Sequence, residues 1–220
     1  MKKLVIFDLD GTLLNTIEDL GRATNYALEK CGHSAHPLSA YPGMVGNGVK
    51  KLIERALPSG LDTEEEVERA REYFKEFYEE HNTEHTAPYP GIMQLLGDLR
   101  ARDIKVAVAS NKYQAAVERL VDYYFPEIEW VAVEGQKEGI PVKPDPSIVF
   151  EILGKAPTPK SEVLYVGDSG VDMETARRAC VDSVGVTWGF RPMSELKAYH
   201  ADNIVNTADA ILDLVLTDKY

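Results

Sequence analysis

Two aspartates and a glycine directly follow an apolar run near the start of the chain. Residues 3–7 predict a buried parallel strand, and Asp8-Leu9-Asp10-Gly11-Thr12 comes immediately after it. Open α/β sheets bind ligands at the carboxyl ends of their strands. Carboxylates two residues apart repel each other unless a cation lies between them. An isolated pair also suits a helix cap, but the full string favours a site for a hard divalent metal.

Three further polar segments have the chemistry of a phosphate or metal site. Ser110 and Asn111 follow a predicted strand at 104–109, where a hydroxyl and main-chain N–H groups suit a phosphate oxygen. Lys143 lies in a loop stiffened by prolines, and Asp168 and Asp172 follow a predicted strand at 163–166. Taken singly, each also suits a helix cap or a solvated surface residue. Together with the first pair they predict one site at the strand ends.

The elements that must position these residues fall into two patterns. Residues 15–85 predict only helices, at 16–30, 49–57 and 63–80. From residue 86 onward, predicted strands at 104–109, 130–133, 163–166 and 184–187 alternate with helices at 92–102, 113–123, 147–153, 171–179 and 207–216. This alternation predicts an α/β fold with a doubly wound parallel sheet. The expected architecture is a Rossmann-like core of residues 1–14 and 86–220, interrupted by a helical insertion at 15–85.

Composition narrows the classes of partner and compartment. The 220 residues carry a formal net charge of −12, which argues against nonspecific binding to nucleic acid or to an anionic membrane. The sequence has no apolar run of membrane-spanning length, and its two cysteines lie far apart; because the first predicted strand starts near residue 3, we also expect no signal peptide. We therefore expect a cytoplasmic protein with reduced thiols. Whether it is a monomer or a dimer stays open.

The whole chain resembles the haloacid dehalogenase superfamily of phosphohydrolases. Four family motifs occur in order: Asp8-Leu9-Asp10-Gly11-Thr12, then Ser110, then Lys143, then Gly167-Asp168-Ser169-Gly170-Val171-Asp172. The insertion at 15–85 is similar to the family's α-helical cap domain. Within the family the chain is most similar to phosphoglycolate phosphatases, through Val45-Gly46-Asn47-Gly48, Gly135-Gln136 and Lys143-Pro144. Asn15 departs from the pattern, because many relatives carry aspartate there.

The resemblance implies a division of labour for the phosphoryl transfer. Asp8 would attack phosphorus and form an aspartyl-phosphate, while Asp10 would act as acid and then as base. Ser110 would hold the phosphoryl group, together with main-chain N–H groups near Asn111 and Gly11. Lys143 would offset the negative charge of both the phosphate and the nucleophile.

The resemblance also implies a Mg²⁺ ion and a closing cap. Mg²⁺ would take Asp8, the main-chain carbonyl of Asp10 and Asp168, while Asp172 would bind a metal water or orient Lys143. The cap would close over the site and bring Asn47, with its flanking glycines, to the leaving group.

The leading hypothesis is a Mg²⁺-dependent phosphatase for a small phosphorylated metabolite, with 2-phosphoglycolate first. A pyrophosphatase or a β-phosphoglucomutase-like phosphotransferase would use the same chemistry. A phosphoacceptor signalling module is the alternative from another class. Such modules also combine acidic residues, Mg²⁺ and a lysine on a parallel sheet, but they are shorter and lack the helical insertion.

Overall fold

A six-stranded parallel sheet forms the centre of the computed structural model, which describes residues 1–217. The strands in chain order are β1 (Leu4–Phe7), β2 (Leu14–Asn15), β3 (Ala87–Pro88), β4 (Lys105–Tyr113), β5 (Trp130–Gln136), β6 (Val163–Gly167), β7 (Asp182–Val186) and β8 (Asn203–Val205). The sheet order is β5-β4-β1-β6-β7-β8, and β2 and β3 form a separate two-stranded sheet. Strand order therefore reverses beside β1, which is where sheets of this class bind ligands.

Helices cover both faces of the sheet. They are α1 (Ile17–Lys30), α2 (Gly48–Ala56), α3 (Glu64–His81), α4 (Ile92–Arg100), α5 (Gln114–Tyr124), α6 (Ser147–Lys155), α7 (Gly170–Ala179), α8 (Met193–Ala198) and α9 (Ala208–Leu216). In β1, Val5 and Phe7 join the apolar cluster with α4, α5 and α9, whereas Leu4 and Ile6 join the cluster with α6 and α7. A strand buried on both faces must be apolar throughout, so the predicted Rossmann-like α/β fold is confirmed.

Helices α1, α2 and α3 form a helical block (residues 17–81) around a separate apolar cluster, which Ala116 of α5 also joins. The chain leaves and re-enters the sheet region through β2 and β3, which pair antiparallel as two adjacent connections. Buried Asp19 accepts hydrogen bonds from the main-chain N–H groups of His85 and Thr86, at 2.9–3.1 Å. This carboxylate ties the start of α1 to the returning segment and so fixes the base of the block.

Several bounds differ from the sequence-based expectation. Strand β4 continues four residues past Ala109 to Tyr113, and β5 continues to Gln136. The sequence predicted no element between Thr187 and Thr207, where the structure has α8 and the three-residue strand β8. A short, half-exposed edge strand lacks the apolar run that identifies the buried strands. The last three residues of the expected 86–220 segment lie outside the described residues.

Candidate active site

Three aspartates from two neighbouring strand ends converge beside the reversal of strand order. Asp8 follows β1, Asp168 follows β6, and Asp172 lies in the first turn of α7. Each offers a carboxylate oxygen, and these three oxygens lie within 4.8 Å of one another. All three residues are at most 8 % exposed. Parallel strands β1 and β6 are paired in register, which is why residues distant in sequence meet here.

Lys143 is the buried cation of this cluster. Its Nζ donates to Asp8 Oδ1 at 2.9 Å, to Asp172 Oδ1 at 2.7 Å and to the Ala109 carbonyl oxygen at 2.9 Å. An ammonium group has three protons, so these three acceptors use its whole donor capacity. The proline-stiffened loop predicted from the sequence therefore holds Lys143 where all three protons of its ammonium group are hydrogen-bonded.

The electrostatics of the cluster call for more positive charge than Lys143 supplies. Burial, opposed in part by Lys143 and reinforced by Asp172, raises the pKa of Asp8 to about 7. Burial and the charges of Asp172 and Asp8 likewise raise the pKa of Asp168 well above its ordinary value. Burial alone would lower the pKa of Lys143, but the two adjacent carboxylates raise it well above the usual range. A divalent cation between the acids would remove this imbalance.

The donor set fits Mg²⁺, which prefers carboxylate and water oxygens. Asp8 and Asp168 are suited to hold the ion. Asp172 has both oxygens engaged, one by Lys143 and the other by the N–H and hydroxyl groups of Ser169. This engagement favours the predicted role of Asp172 in orienting Lys143 over direct ligation.

The chain segment after β7 completes the wall around Asp168. The main-chain N–H of Phe190 donates to Asp168 Oδ2 at 2.6 Å. A Cβ atom on Gly189 would lie 2.4 Å from the Gly11 carbonyl oxygen, so only glycine allows this approach. Phe190 contributes only its main-chain N–H, which nearly every residue has. Its residue type therefore does not identify it as part of the site.

Ser110 and Asn111 were expected just after the strand, but they lie within the last part of β4, and both are buried. The Asn111 amide donates to the carbonyl oxygens of Gly46 and Lys143 and accepts from the Lys143 N–H. It therefore links β4, the lysine loop and the helical block. Ser110 Oγ accepts from the Lys112 N–H at 3.2 Å, and its own proton is available for a phosphate oxygen.

Asp10 forms an ion pair that the sequence analysis missed. The Lys112 Nζ lies 3.0 and 3.1 Å from the two carboxylate oxygens of Asp10. Because β4 extends past Ala109, Ser110 and Lys112 are two residues apart on one strand and share a face. The feature of the sequence that could have predicted this ion pair is a lysine two residues after Ser110.

The helical block lies over these residues. Arg191, from the segment after β7, donates to the carbonyl oxygens of Pro42 and Val45 at 2.8 and 2.7 Å. A small cavity of about 40 Å³ remains beneath, and Gly46 and Gly48 help to line it. The Asn47 side chain is not brought to this cavity, because its Oδ1 accepts from Arg55 at 2.8 Å.

A family model for haloacid dehalogenase-like hydrolases matches residues 5–186, which include Asp8, Asp10, Ser110, Lys143, Asp168 and Asp172. The chain belongs to the haloacid dehalogenase-like hydrolase family. The phosphoglycolate phosphatase of Pseudomonas savastanoi pv. phaseolicola is 33% identical over 206 residues, covering 89% of this chain and 74% of the relative. That of Nitrosospira multiformis is 32% identical over 213 residues, covering 92% and 91%.

Solved structures agree with this family membership. A crystal structure described as a candidate phosphoglycolate phosphatase from Lactobacillus delbrueckii subsp. bulgaricus has a TM-score of 0.92 and 34% identity, over 99% of this chain and 100% of that one. The predicted resemblance is confirmed, and the chain is a phosphatase of this family. Within residues 1–217, no helix is both long and apolar enough to cross a membrane.

Proposed function

We propose that this phosphatase is Mg²⁺-dependent and hydrolyses a small phosphorylated metabolite through an aspartyl-phosphate on Asp8. The leading candidate for the substrate is 2-phosphoglycolate. The observation that carries the proposal is the buried cluster of Asp8, Asp168 and Asp172 around Lys143. Burying three acids together costs stability, so their presence calls for a functional reason. Phosphoryl transfer with a divalent cation is a function that needs such a set of carboxylates. The names of the relatives support phosphoglycolate as the substrate.

In the first step, an Asp8 carboxylate oxygen attacks phosphorus and the bond to the leaving oxygen breaks. Protonated Asp10 gives its proton to that oxygen, so the product leaves as a neutral hydroxyl group. Lys143 holds the attacking carboxylate at 2.9 Å and keeps its orientation fixed. The Ser110 hydroxyl donates to a phosphoryl oxygen, with the main-chain N–H groups near Asn111 and Gly11.

In the second step, water attacks the phosphorus of the aspartyl-phosphate. Asp10 takes a proton from that water, the bond between phosphorus and Asp8 breaks, and inorganic phosphate departs. Asp8 and Asp10 are thereby restored. Mg²⁺, held by Asp8, Asp168 and the main-chain carbonyl of Asp10, would neutralise charge on the transferring phosphoryl group.

Residues 15–85 act in this proposal as a cap domain on a core of residues 1–14 and 86–220. The paired strands β2 and β3 are the two connections on which the cap moves. A cavity of about 40 Å³ holds only a few water molecules, so substrate enters when the cap lifts. Arg191, which bonds to carbonyl groups of the cap, closes it again.

We also propose that the enzyme works in the cytoplasm. Cys31 and Cys180 are both free thiols, which suits a reducing compartment. The absence of nucleic-acid and membrane partners stays a prediction from the net charge of −12.

The substrate is tested by phosphate release from 2-phosphoglycolate, pyrophosphate and glucose 1-phosphate, each with Mg²⁺ and with EDTA. We expect the highest kcat/KM for 2-phosphoglycolate and no turnover in EDTA. A higher kcat/KM for pyrophosphate would favour the pyrophosphatase alternative. Conversion of glucose 1-phosphate to its isomer without phosphate release would favour the mutase. Turnover that persists in EDTA would contradict the metal site.

The stabilisation of the folded protein by Mg²⁺ should increase as the pH rises. In EDTA, the raised pKa of Asp8 means that the folded protein binds more protons than the unfolded chain. The contribution of Asp8 to the free energy of unfolding is therefore lost as pH rises from about 4 through about 7. Mg²⁺ binds the ionised carboxylates, so its stabilising effect grows over the same range.

The measurement is the increase in Tm on adding Mg²⁺, taken at about pH 5.5 and about pH 8. We expect the larger increase at the higher pH, and none in Asp168→Asn. The Asp122→Asn variant, which changes an exposed aspartate on α5, is the matched control and should keep the increase. An equal or larger increase at the lower pH would contradict the assignment of the acids as metal ligands.

A further inference from the structure

Lys112 is a buried ammonium group whose binding capacity the protein leaves unfilled. Its side chain is 3% exposed, and its Nζ contacts both carboxylate oxygens of Asp10. Within residues 1–217, no other oxygen accepts from this Nζ, which otherwise faces the Tyr78 ring at 4.7 Å from the centroid. Lys143, by contrast, has three oxygen acceptors. Of these two buried lysines, Lys112 is therefore the one able to bind a further anion.

Lys112 lies where a leaving group must sit. Asp8, Asp10, Ser110 and Lys112 all line the same cavity. In the proposed reaction the Asp10 carboxylate touches the leaving oxygen. The Lys112 Nζ is 3.0 Å from that carboxylate, so it lies beside the atoms attached to the leaving oxygen.

The rest of the cavity wall is unsuited to a sugar. The helical block contributes four apolar side chains to the wall, those of Leu20, Val45, Val49 and Leu52, along with two glycines. Sugar hydroxyls placed against these side chains would lose their hydrogen bonds to water without replacement. A short leaving group with one charged end would instead place that end on Lys112.

We propose that Lys112 recognises a carboxylate on the leaving group and thereby selects short phosphorylated carboxylic acids. This inference rests on the proposed phosphatase function and assigns its specificity to one residue. Once Asp10 has given its proton to the leaving oxygen, a carboxylate one carbon from that oxygen would lie close to the ionised Asp10 and would be repelled by it. Lys112 between the two anions removes that repulsion and adds a charge-assisted hydrogen bond.

Tyr78 couples this recognition to cap closure. Tyr78 is on α3 of the helical block, whereas Lys112 is on β4 of the sheet, so their contact exists only when the block lies over the site. The Tyr78 hydroxyl is buried and has no hydrogen-bond partner among the described residues. Burial, reinforced by the charge of Asp10, raises the pKa of this phenol well above its ordinary value, so the hydroxyl stays a donor.

The test compares 2-phosphoglycolate with 2-hydroxyethyl phosphate, which has the same length but a neutral end. We expect the unaltered enzyme to prefer 2-phosphoglycolate, and Lys112→Met to reduce the ratio of the two kcat/KM values by about 10- to 100-fold. Lys112→Arg should keep part of the preference. Lys105→Met, which removes an exposed lysine at the opposite end of β4, should keep all of it. Thermal unfolding is measured for each variant, and Lys112→Gln replaces Lys112→Met if the latter is unfolded.

A binding measurement separates this inference from the proposed function. Calorimetric titration of both esters into the Asp8→Asn protein needs no turnover, and Lys112→Met in that background should abolish the preference for 2-phosphoglycolate. If the unaltered enzyme hydrolyses neither ester, the proposed function fails and the titration alone decides the role of Lys112. An unchanged ratio in Lys112→Met, in turnover or in binding, overturns the inference. No binding preference in the Asp8→Asn protein would overturn it as well.

Discussion

Asp8→Asn is expected to reduce kcat by about 10⁴-fold or more, because it removes the proposed nucleophile without changing its shape. An amide oxygen is a far weaker nucleophile than a carboxylate. The hydrogen bond from Lys143 to Oδ1 can persist in the variant. Phosphate release under saturating substrate and Mg²⁺ gives kcat directly.

The same substitution should leave the protein at least as stable as before when Mg²⁺ is removed. The pKa of Asp8 is raised to about 7, so folding disfavours its ionised form, and a neutral amide relieves that penalty above pH 7. The control is Asp122→Asn, which should retain full activity because Asp122 is exposed on α5. Near-normal phosphate release from the folded Asp8→Asn protein would sink the nucleophile assignment.

Lys143→Met is expected to damage both stability and activity. The substitution leaves Asp8 and Asp172 facing each other in a buried site, and breaking a buried ion pair in this way costs about 3–5 kcal/mol. For a chain of this size that corresponds to a fall in Tm of about 10 °C. Loss of the fixed cation should also lower kcat by about 10³-fold.

The pH dependence separates this electrostatic effect from a simple packing defect. Protonation of the carboxylates at low pH removes their repulsion, so the loss of Tm in Lys143→Met should be smaller at about pH 5 than at about pH 8. Lys197→Met, which removes an exposed lysine on α8, is the control and should change neither Tm nor kcat. A loss of Tm that is independent of pH would contradict the electrostatic account.

The strands that the sequence predicts correctly are those whose residues are buried. Strand β1 and the strands beside it are buried on both faces, so they appear as apolar runs that helices separate. The paired strands β2 and β3 lie where the helical insertion expected at 15–85 begins and ends. Strand β8 was missed because its three residues are half exposed and rely on pairing with β7 rather than on an apolar pattern.

The candidate site likewise contains some residues that the sequence predicts and others that it does not. Asp8, Lys143 and Asp168 stand at strand ends or in a proline-stiffened loop, so sequence alone brings them to one edge of the sheet. Lys112 was missed because its role depends on β4 continuing beyond the apolar run. Phe190 was missed because it acts through a main-chain N–H, and the contact depends on two segments about 180 residues apart meeting at glycines.

Chemical trapping of the phosphoenzyme tests the central claim most directly. The enzyme is mixed with 2-phosphoglycolate and Mg²⁺, quenched within one turnover and treated with borohydride, which reduces an aspartyl-phosphate to homoserine. Peptide mass spectrometry then locates the reduced residue. The proposed reaction predicts homoserine at position 8 and nowhere else, and none when substrate is omitted. Turnover without modification at position 8, or with homoserine at another aspartate, would contradict it.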